Sequence, residues 1–124
     1  MSREIWHPLP GFQGYSVSSR GWVTDPSGEL VQPWDKGKGI LWIAIKSEET
    51  SYRGPVWKLI MYAFFEGDYR DVTVDYKDGD SYNLALENLL FSVYIRNVKA
   101  ECWLKPVAAG NNYWRFDRRR YEKK

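Results

Sequence analysis

A single cysteine, Cys102, and a single histidine, His7, restrict how this chain can stabilise a fold. One cysteine cannot form an internal disulfide, and a structural zinc site needs about four Cys or His ligands. The 124 residues must therefore be held together by packed apolar side chains, and a chain of this length can bury such a core. Hydrophobic residues make up 44% of the sequence and charged residues 27%, so we expect one globular domain spanning residues 1–124.

The first of three segments in this domain, residues 1–50, carries the pattern of a small antiparallel sheet. Residues 15–18 (YSVS) alternate apolar and polar side chains, and residues 22–24 follow after a turn. Residues 40–45 (ILWIAI) are rich in β-branched and aromatic side chains and make the strongest strand prediction. This segment is therefore predicted to be an N-terminal β module.

The second segment, residues 51–105, begins with a helix pattern and continues as a hairpin. Pro55 stands where a first helical residue would, and apolar residues recur at helical spacing from residue 56 to residue 64, with the helix ending near Gly67. Residues 72–76 and 89–92 are predicted strands, joined by a turn at residues 78–79 and a polar loop. Residue 93 to about residue 104 is predicted to be a helix, which Pro106 follows.

The net charge of +2 is small, but the charges are unevenly distributed. Acidic residues crowd a central stretch at Asp71, Asp75, Asp78 and Asp80. Basic residues crowd the third segment, the basic aromatic tail of residues 106–124, at Arg115, Arg118, Arg119, Arg120, Lys123 and Lys124. Residues 113–116 of this tail alternate weakly, as a short strand does. The charges fit a metal site beside a phosphate-binding surface, or a solvated loop and a frayed terminus.

Two groups of residues, in this order along the chain, carry a family pattern. Residues 4–6 (EIW), 10–18 (PGFQGYSVS) and 20–23 (RGWV) look like the N-terminal module of phage-type and homing HNH endonucleases. Residues 56–60 (VWKLI), 74–80 (VDYKDGD) and 86–89 (LENL) resemble the helix and the HNH core of the same family. The resemblance implies an α+β fold with a small N-terminal antiparallel sheet, one covering helix and a ββα-metal hairpin-helix that is degenerate at its catalytic position.

The resemblance also implies roles for four residues. Asp75 stands where the family has a metal-binding oxygen, and Asn97 falls at the spacing of a second metal ligand. Tyr76 stands at the position of the general-base histidine, and Asn88 at that of the residue that orients the base. The implied cofactor is a single divalent ion, Mg²⁺, because hard oxygen ligands suit it.

Two histidines of the family pattern are replaced, by Trp57 and Tyr76. Imidazole titrates near pH 6.5, whereas an unperturbed phenol titrates near 10, so about one part in a thousand is phenolate at pH 7. Losing a general base costs about 10²- to 10⁴-fold in rate. We therefore expect a nucleic-acid-binding protein that is catalytically impaired or dead. The sole histidine, His7, is predicted to be an ordinary surface or packed residue, not a substitute base.

Two alternatives to an impaired nuclease stay open. In the first, the protein is an active Mg²⁺-dependent DNA nickase or endonuclease that uses Tyr76 as an altered base or as a nucleophile. In the second, it is a protein-interaction module that binds no nucleic acid.

DNA is the partner that the resemblance implies, with the basic tail as the predicted contact surface. A host or phage protein is the other expected partner, in an inhibitory or host-takeover role, and a homodimer is a further option. The sequence has no run of about 20 apolar residues and no apolar signal-length start, so no membrane association and a cytoplasmic location are expected.

Overall fold

The computed structural model describes residues 4–67, 69, 71–95, 98–101 and 104–106. The elements follow the chain as β1 (Trp6–Pro8), β2 (Ser16–Ser18), β3 (Val23–Thr24), β4 (Trp34–Asp35), β5 (Leu41–Lys46), β6 (Ser51–Pro55), α1 (Val56–Phe64), β7 (Phe65–Glu66), β8 (Val72–Tyr76), a 3₁₀ turn (Leu86–Asn88), β9 (Leu89–Ile95), β10 (Val98–Glu101) and β11 (Lys105–Pro106). Three three-stranded sheets have the orders β1-β2-β3, β4-β5-β6 and β8-β9-β10, and β7 pairs with β11. All of these pairings are antiparallel. The α+β class is therefore confirmed.

Helix α1 lies at the centre of the core. Leu59, Ile60 and Phe64 on this helix are completely buried, and the helix contacts β1, β2, β5, β6 and β7. Pro55 is extended (φ −61°, ψ 140°) and lies directly before the helix. The first helical residue is therefore Val56, one position later than predicted. The helix ends at Phe64, earlier than the predicted end near Gly67, because Phe65 is extended and fully buried in β7.

The N-terminal β module contains the strands expected from the alternating pattern, with Val17 and Val23 paired and fully buried. The strand predicted at residues 40–45 is present as β5, and it alternates, since Ile43 and Ile45 are buried whereas Ala44 is exposed. Its partner β6 was not predicted from the sequence, because its residues (SYRGP) have little β propensity of their own. Pairing with β5 along its whole length holds it as a strand.

The helix predicted from residue 93 to about residue 104 is wrong over the described residues. Strand β9 continues to Ile95, and β10 pairs back on it with Val98 opposite Ile95. A run of valine, tyrosine and isoleucine at residues 93–95 favours a pleated strand over a helix, since branched and ring side chains pack well on a sheet. The β8–β9 hairpin itself is present, and α1 is the one α-helix among the described residues.

Several predicted features fall outside the described residues: residues 96–97, with Asn97, and the whole basic aromatic tail beyond Pro106, with the strand expected at residues 113–116. Within the described part, no helix has the length and apolar character that a membrane crossing requires.

Candidate functional site

Asp75 and Tyr76 occupy the loop end of the β8–β9 hairpin. Asp75 pairs with Leu90, and Tyr76 pairs with Leu89, the first residue of β9. Tyr76 and Val74, two positions apart, both pack against the hydrophobic core. Since successive side chains of a strand point to opposite faces, Asp75 projects away from that core face. Asp75 and Tyr76 are thus adjacent in sequence but are directed to different sides of the hairpin.

Burial raises the pKa of Tyr76 above its ordinary value of 10, and the neighbouring Asp75 carboxylate raises that pKa further. Both effects disfavour the phenolate, because a low-dielectric surrounding and a nearby negative charge each oppose ionisation. Tyr76 is therefore a protonated phenol at neutral pH in this arrangement. A base working near neutral pH would need a shift in the opposite direction.

Asn88 is buried at the end of the 3₁₀ turn, and its side chain closes the loop between β8 and β9. Its Oδ1 accepts a hydrogen bond from the Asp78 backbone N–H (3.1 Å), and its Nδ2 donates to Asp78 Oδ1 and to the Asn83 carbonyl oxygen (3.0 Å each). Its own carbonyl accepts from the Lys77 N–H at 2.9 Å. Asn88 thereby holds the residues that follow Tyr76, and its predicted role in orienting residue 76 remains a prediction.

Asp78 and Asp80 use their carboxylates to shape this loop. Asp78 Oδ1 accepts from the Asp80 N–H (2.8 Å) and Asp78 Oδ2 from Asn83 Nδ2 (2.8 Å). These hydrogen bonds, first that from Asn83, hold the pKa of Asp78 below its ordinary value. Asp80 Oδ1 accepts from the Tyr82 N–H at 2.9 Å. Both aspartates are turn formers, as turn chemistry predicts for Asp next to Gly.

The loop is anchored to the turn between β2 and β3. The Leu86 N–H donates to the Ser19 carbonyl oxygen at 2.7 Å. Gly21, at φ +92°, lies so close to Leu84 that a Cβ built on it would be 2.6 Å from the Leu84 Cβ. The hairpin and the N-terminal β module therefore meet in a tight contact that only glycine allows.

The side chains near β8 offer few ligands for Mg²⁺. Among the described residues, no group of three or more His, Cys, Asp or Glu side chains could hold a metal ion. Asp75 supplies one hard oxygen donor, and the Asp78 carboxylate accepts hydrogen bonds within the loop. Magnesium is commonly bound by one or two carboxylates, with water and substrate phosphate completing its shell. The donors thus fit a Mg²⁺ ion that arrives with nucleic acid, not a preformed protein cage.

Trp57 and His7, the two other residues considered in the sequence analysis, pack against aromatic side chains. Trp57 on α1 is partly buried with its ring centroid 6.3 Å from that of Phe91. His7 is 2% exposed, stacks on Phe64 at 4.3 Å, and its Nδ1 lies 3.1 Å from the Ala63 carbonyl oxygen. The prediction that His7 is an ordinary packed residue is therefore confirmed.

The outer face of the β4–β5–β6 sheet carries a cluster that sequence reasoning missed. Trp34 and Trp42 lie directly opposite each other. Lys36 Nζ is 4.5 Å from the centre of the Trp42 ring, and the Arg53 guanidinium carbon is 5.0 Å from the centre of the Trp34 ring. Arg53 lies opposite the small, exposed Ala44, which leaves room for its side chain to cross β5. We call Trp34, Lys36, Trp42 and Arg53 the basic aromatic face.

The sequence could have indicated that Trp34 and Lys36 lie on the same face, since side chains two residues apart in a strand point to the same side. Arg53 could not be placed without knowing that β6 pairs with β5. The nucleic-acid-binding residues that were predicted, all in the tail from Arg115 to Lys124, lie outside the described residues.

Comparison with known proteins relates this arrangement to an HNH nuclease. No family model and no curated protein matches the chain. Among solved structures, it is similar to the HNH homing endonuclease I-HmuI, in a structure that concerns DNA binding and cleavage by that protein. The match has 27% sequence identity and a TM-score of 0.63, and it covers 72% of this chain and 52% of the endonuclease. The chain spans about half the length of that endonuclease and has an HNH-like fold.

Proposed function

We propose that this HNH-like protein binds DNA through its basic aromatic face and is impaired as a nuclease. DNA binding is supported above all by the two cation–ring pairs on the outside of the β4–β5–β6 sheet. Impairment is supported by the partly buried phenol of Tyr76 at the general-base position, whose pKa is raised by burial and by Asp75. The similar endonuclease, I-HmuI, binds and cleaves DNA, which favours the first part and makes the second a departure from it.

The basic aromatic face offers cations that are already oriented. A cation held over an indole ring gains about 0.5–1 kcal/mol at an exposed site. Lys36 and Arg53 are both exposed, whereas Trp34 and Trp42 are half-buried and so serve as fixed supports. Lysine and arginine bind phosphate oxygens, and arginine also forms hydrogen bonds with the edge of guanine. In addition, a two-stranded antiparallel ribbon fits into the major groove of duplex DNA. The geometry therefore favours duplex DNA as the ligand.

We infer that the basic tail adds contacts to the DNA backbone. Arginine interleaved with aromatic residues suits phosphate contact and stacking with little sequence preference. The residues concerned are Arg115, Arg118, Arg119, Arg120, Lys123 and Lys124.

Hydrolysis of a phosphodiester needs a group that takes a proton from the attacking water. A protonated phenol at residue 76 can donate a hydrogen bond but cannot accept that proton. Mg²⁺, when bound, would stabilise negative charge on the phosphate, and Asp75, with Asn97 by resemblance, would hold it. Asn88 keeps the loop in shape but supplies no base. The chain therefore retains parts of the site and lacks the proton acceptor.

A protein that binds DNA without cutting it acts by occupying its site. We therefore propose an inhibitory or host-takeover role for this protein, supported by a binding face that is retained beside a base that is lost.

The DNA-binding part is tested by the double variant Lys36→Ala/Arg53→Ala, with Arg20→Ala as a control that removes one positive charge from the exposed turn between β2 and β3. Each lost phosphate contact should reduce the slope of log affinity against log salt by about 1. We expect the double variant to bind a DNA duplex more weakly with a flatter salt slope, and the control to change little. Equal affinity and slope in all three proteins would refute the assignment of the face.

The catalytic part is tested by plasmid nicking with Mg²⁺ or Mn²⁺. We expect no nicking by the natural protein, nicking by Tyr76→His, and none when Asp75→Ala is added to Tyr76→His. Nicking by the natural protein that disappears in Asp75→Ala would show an active nickase with an altered base. If no variant nicks the plasmid, the protein has lost more of the nuclease site than the general base.

A protein-interaction role is the second candidate, and one observation favours it. Trp6 (41% exposed), Trp22 (45%) and Leu30 (48%) are large apolar side chains on the N-terminal β module. Trp6 lies opposite Ser18, whose N–H donates to the Trp22 carbonyl, so the backbones of both tryptophans are next to Ser18. Exposed apolar patches often mark protein interfaces. The partner would be a host or phage protein or a second copy, and binding to duplex DNA at moderate salt would argue against this role as the primary one.

A further inference from the structure

One carboxylate joins the loop between β8 and β9 to the turn between β4 and β5. The Tyr82 hydroxyl donates a hydrogen bond to Asp35 Oδ2, and Asp35 Oδ1 accepts from the Gly37 N–H at 2.8 Å. Tyr82 itself is held by the Asp80 carboxylate through its backbone N–H. A single side chain, Asp35, thus bonds to two segments that are far apart in the sequence.

A second contact accompanies the first. The Ser81 hydroxyl donates to the Gly39 carbonyl oxygen. Gly39 has φ +75°, and a Cβ built on it would lie 2.8 Å from Ser81 Oγ. The turn therefore approaches the loop at a position where glycine suits both the backbone conformation and the space.

These contacts connect the two parts of the molecule that the proposed function uses. Asp35 ends β4 between Trp34 and Lys36, two members of the basic aromatic face. The loop that carries Tyr82 starts directly after Tyr76 and ends at β9. At its other end, the loop is anchored separately through Leu86 and the β2–β3 turn. Removing the Tyr82 hydroxyl should therefore release one contact without unfolding the loop.

We propose that Tyr82 and Asp35 form a positioning pair that holds the β8–β9 hairpin at a set place relative to the basic aromatic face. Its consequence for DNA rests on the proposed function: a duplex bound on that face meets the hairpin loop at a defined position. Neither residue contacts the reacting groups, and the pair acts only through the segments that it joins.

The positioning is tested first without DNA. Spin labels are attached to cysteines introduced at the exposed Gln32, two residues before β4, and at the exposed Lys77 in a Cys102→Ser background, and the distance distribution between them is measured by pulsed EPR. Tyr82→Phe and Asp35→Ala should each broaden this distribution, and the double variant should be no broader than Asp35→Ala, since both remove one interaction. Thermal unfolding is measured beside it to show that each variant is folded.

Tyr15→Phe is the matched control. Tyr15 donates its hydroxyl to the Lys46 carbonyl at 2.9 Å, at the end of β5 that is remote from the Asp35 pairing. The control should keep the narrow distribution of the natural protein. Equally narrow distributions in folded Tyr82→Phe and Asp35→Ala would overturn the proposal.

The consequence for DNA is tested with an iron–EDTA reagent tethered at Lys77→Cys, which cuts bound duplex wherever the hairpin lies. We expect one narrow cluster of cuts with the natural sequence at residue 82, and a broader or shifted cluster with Tyr82→Phe, while Kd changes by no more than about threefold for a single exposed hydrogen bond. An unchanged cluster overturns the positioning role although DNA is bound. If no protein binds DNA, the proposed function fails, and the EPR widths alone decide the proposal.

Discussion

At the scale of single residues, environment changes what an ionisable side chain can do. Tyr76 is packed on the core beside a carboxylate, and this raises its pKa, whereas an activated base would need a lower one. His7 would be the natural proton acceptor near neutral pH, but it is stacked on Phe64 beneath the N-terminal sheet. The one imidazole of the chain therefore serves packing.

The burial of His7 leads to a prediction about stability and pH. Desolvation lowers the pKa of His7 below its ordinary value of 6.5, although the hydrogen bond to Ala63 opposes this. The folded state thus favours the neutral ring. The contribution of His7 to the free energy of unfolding is therefore fully present above pH 6.5, and it is lost as the pH drops below that value. Urea unfolding of the natural protein and His7→Phe between pH 5 and pH 8 should show a loss in the natural protein that the variant lacks. Identical pH profiles would contradict this.

At the scale of elements, a loop connects the hairpin to the rest of the fold. The segment between β8 and β9 is closed on itself by Asn88 and anchored outside itself by Ser19, Gly21 and Asp35. Its backbone hydrogen bonds and side-chain contacts thus hold it in one conformation, although most of it is neither helix nor strand.

The contact between Gly21 and Leu84 should be measurable in stability. Gly21→Ala places a methyl group 2.6 Å from the Leu84 Cβ, whereas Gly28→Ala at a similar φ of +88° meets nothing within 4 Å. Both variants carry backbone strain, so their difference isolates the contact. Chemical denaturation should show Gly21→Ala to be less stable than Gly28→Ala by about 1–3 kcal/mol, the usual cost of overpacking. Equal losses would mean that the loop moves aside freely.

At the scale of the whole molecule, acidic and basic residues are concentrated in different segments of the chain. The net charge is only +2, yet the hairpin region carries acidic residues, whereas the basic aromatic face and the tail carry lysine and arginine. A divided distribution of this kind orients a polyanion on approach, in addition to adding affinity.

The division of charge predicts the effect of shortening the chain. Truncation from Asp117 removes Arg118, Arg119, Arg120, Lys123 and Lys124. We expect weaker binding to duplex DNA and a flatter dependence on salt, because fewer counterions are released. Fluorescence anisotropy from low to moderate salt measures both quantities. Unchanged affinity and slope would show that the tail does not contact DNA.

Much of the fold near the site was predictable from local patterns. The predictions of a short strand at residues 72–76, of a turn at residues 78–79 and of a helix from the apolar spacing of residues 56–64 each depend on neighbours a few positions away. All three elements are present. The resemblance placed Asp75, Tyr76 and Asn88 in one hairpin, and the structure brings them to its loop end. The prediction of a helix from residue 93 was wrong because the branched residues there pair with β10 as part of a strand.

What the tertiary structure decided depends on pairing between distant segments. Strand β6 exists because β5 pairs with it, and this pairing brings Arg53 across Ala44 to the ring of Trp34. Tyr82 meets Asp35 across 47 positions of sequence. The sequence by itself determined local conformation and the residue types of the hairpin, since these follow from side-chain pattern and backbone preference. The basic aromatic face and the positioning pair required the register between strands and the docking of the loop, which local pattern does not specify.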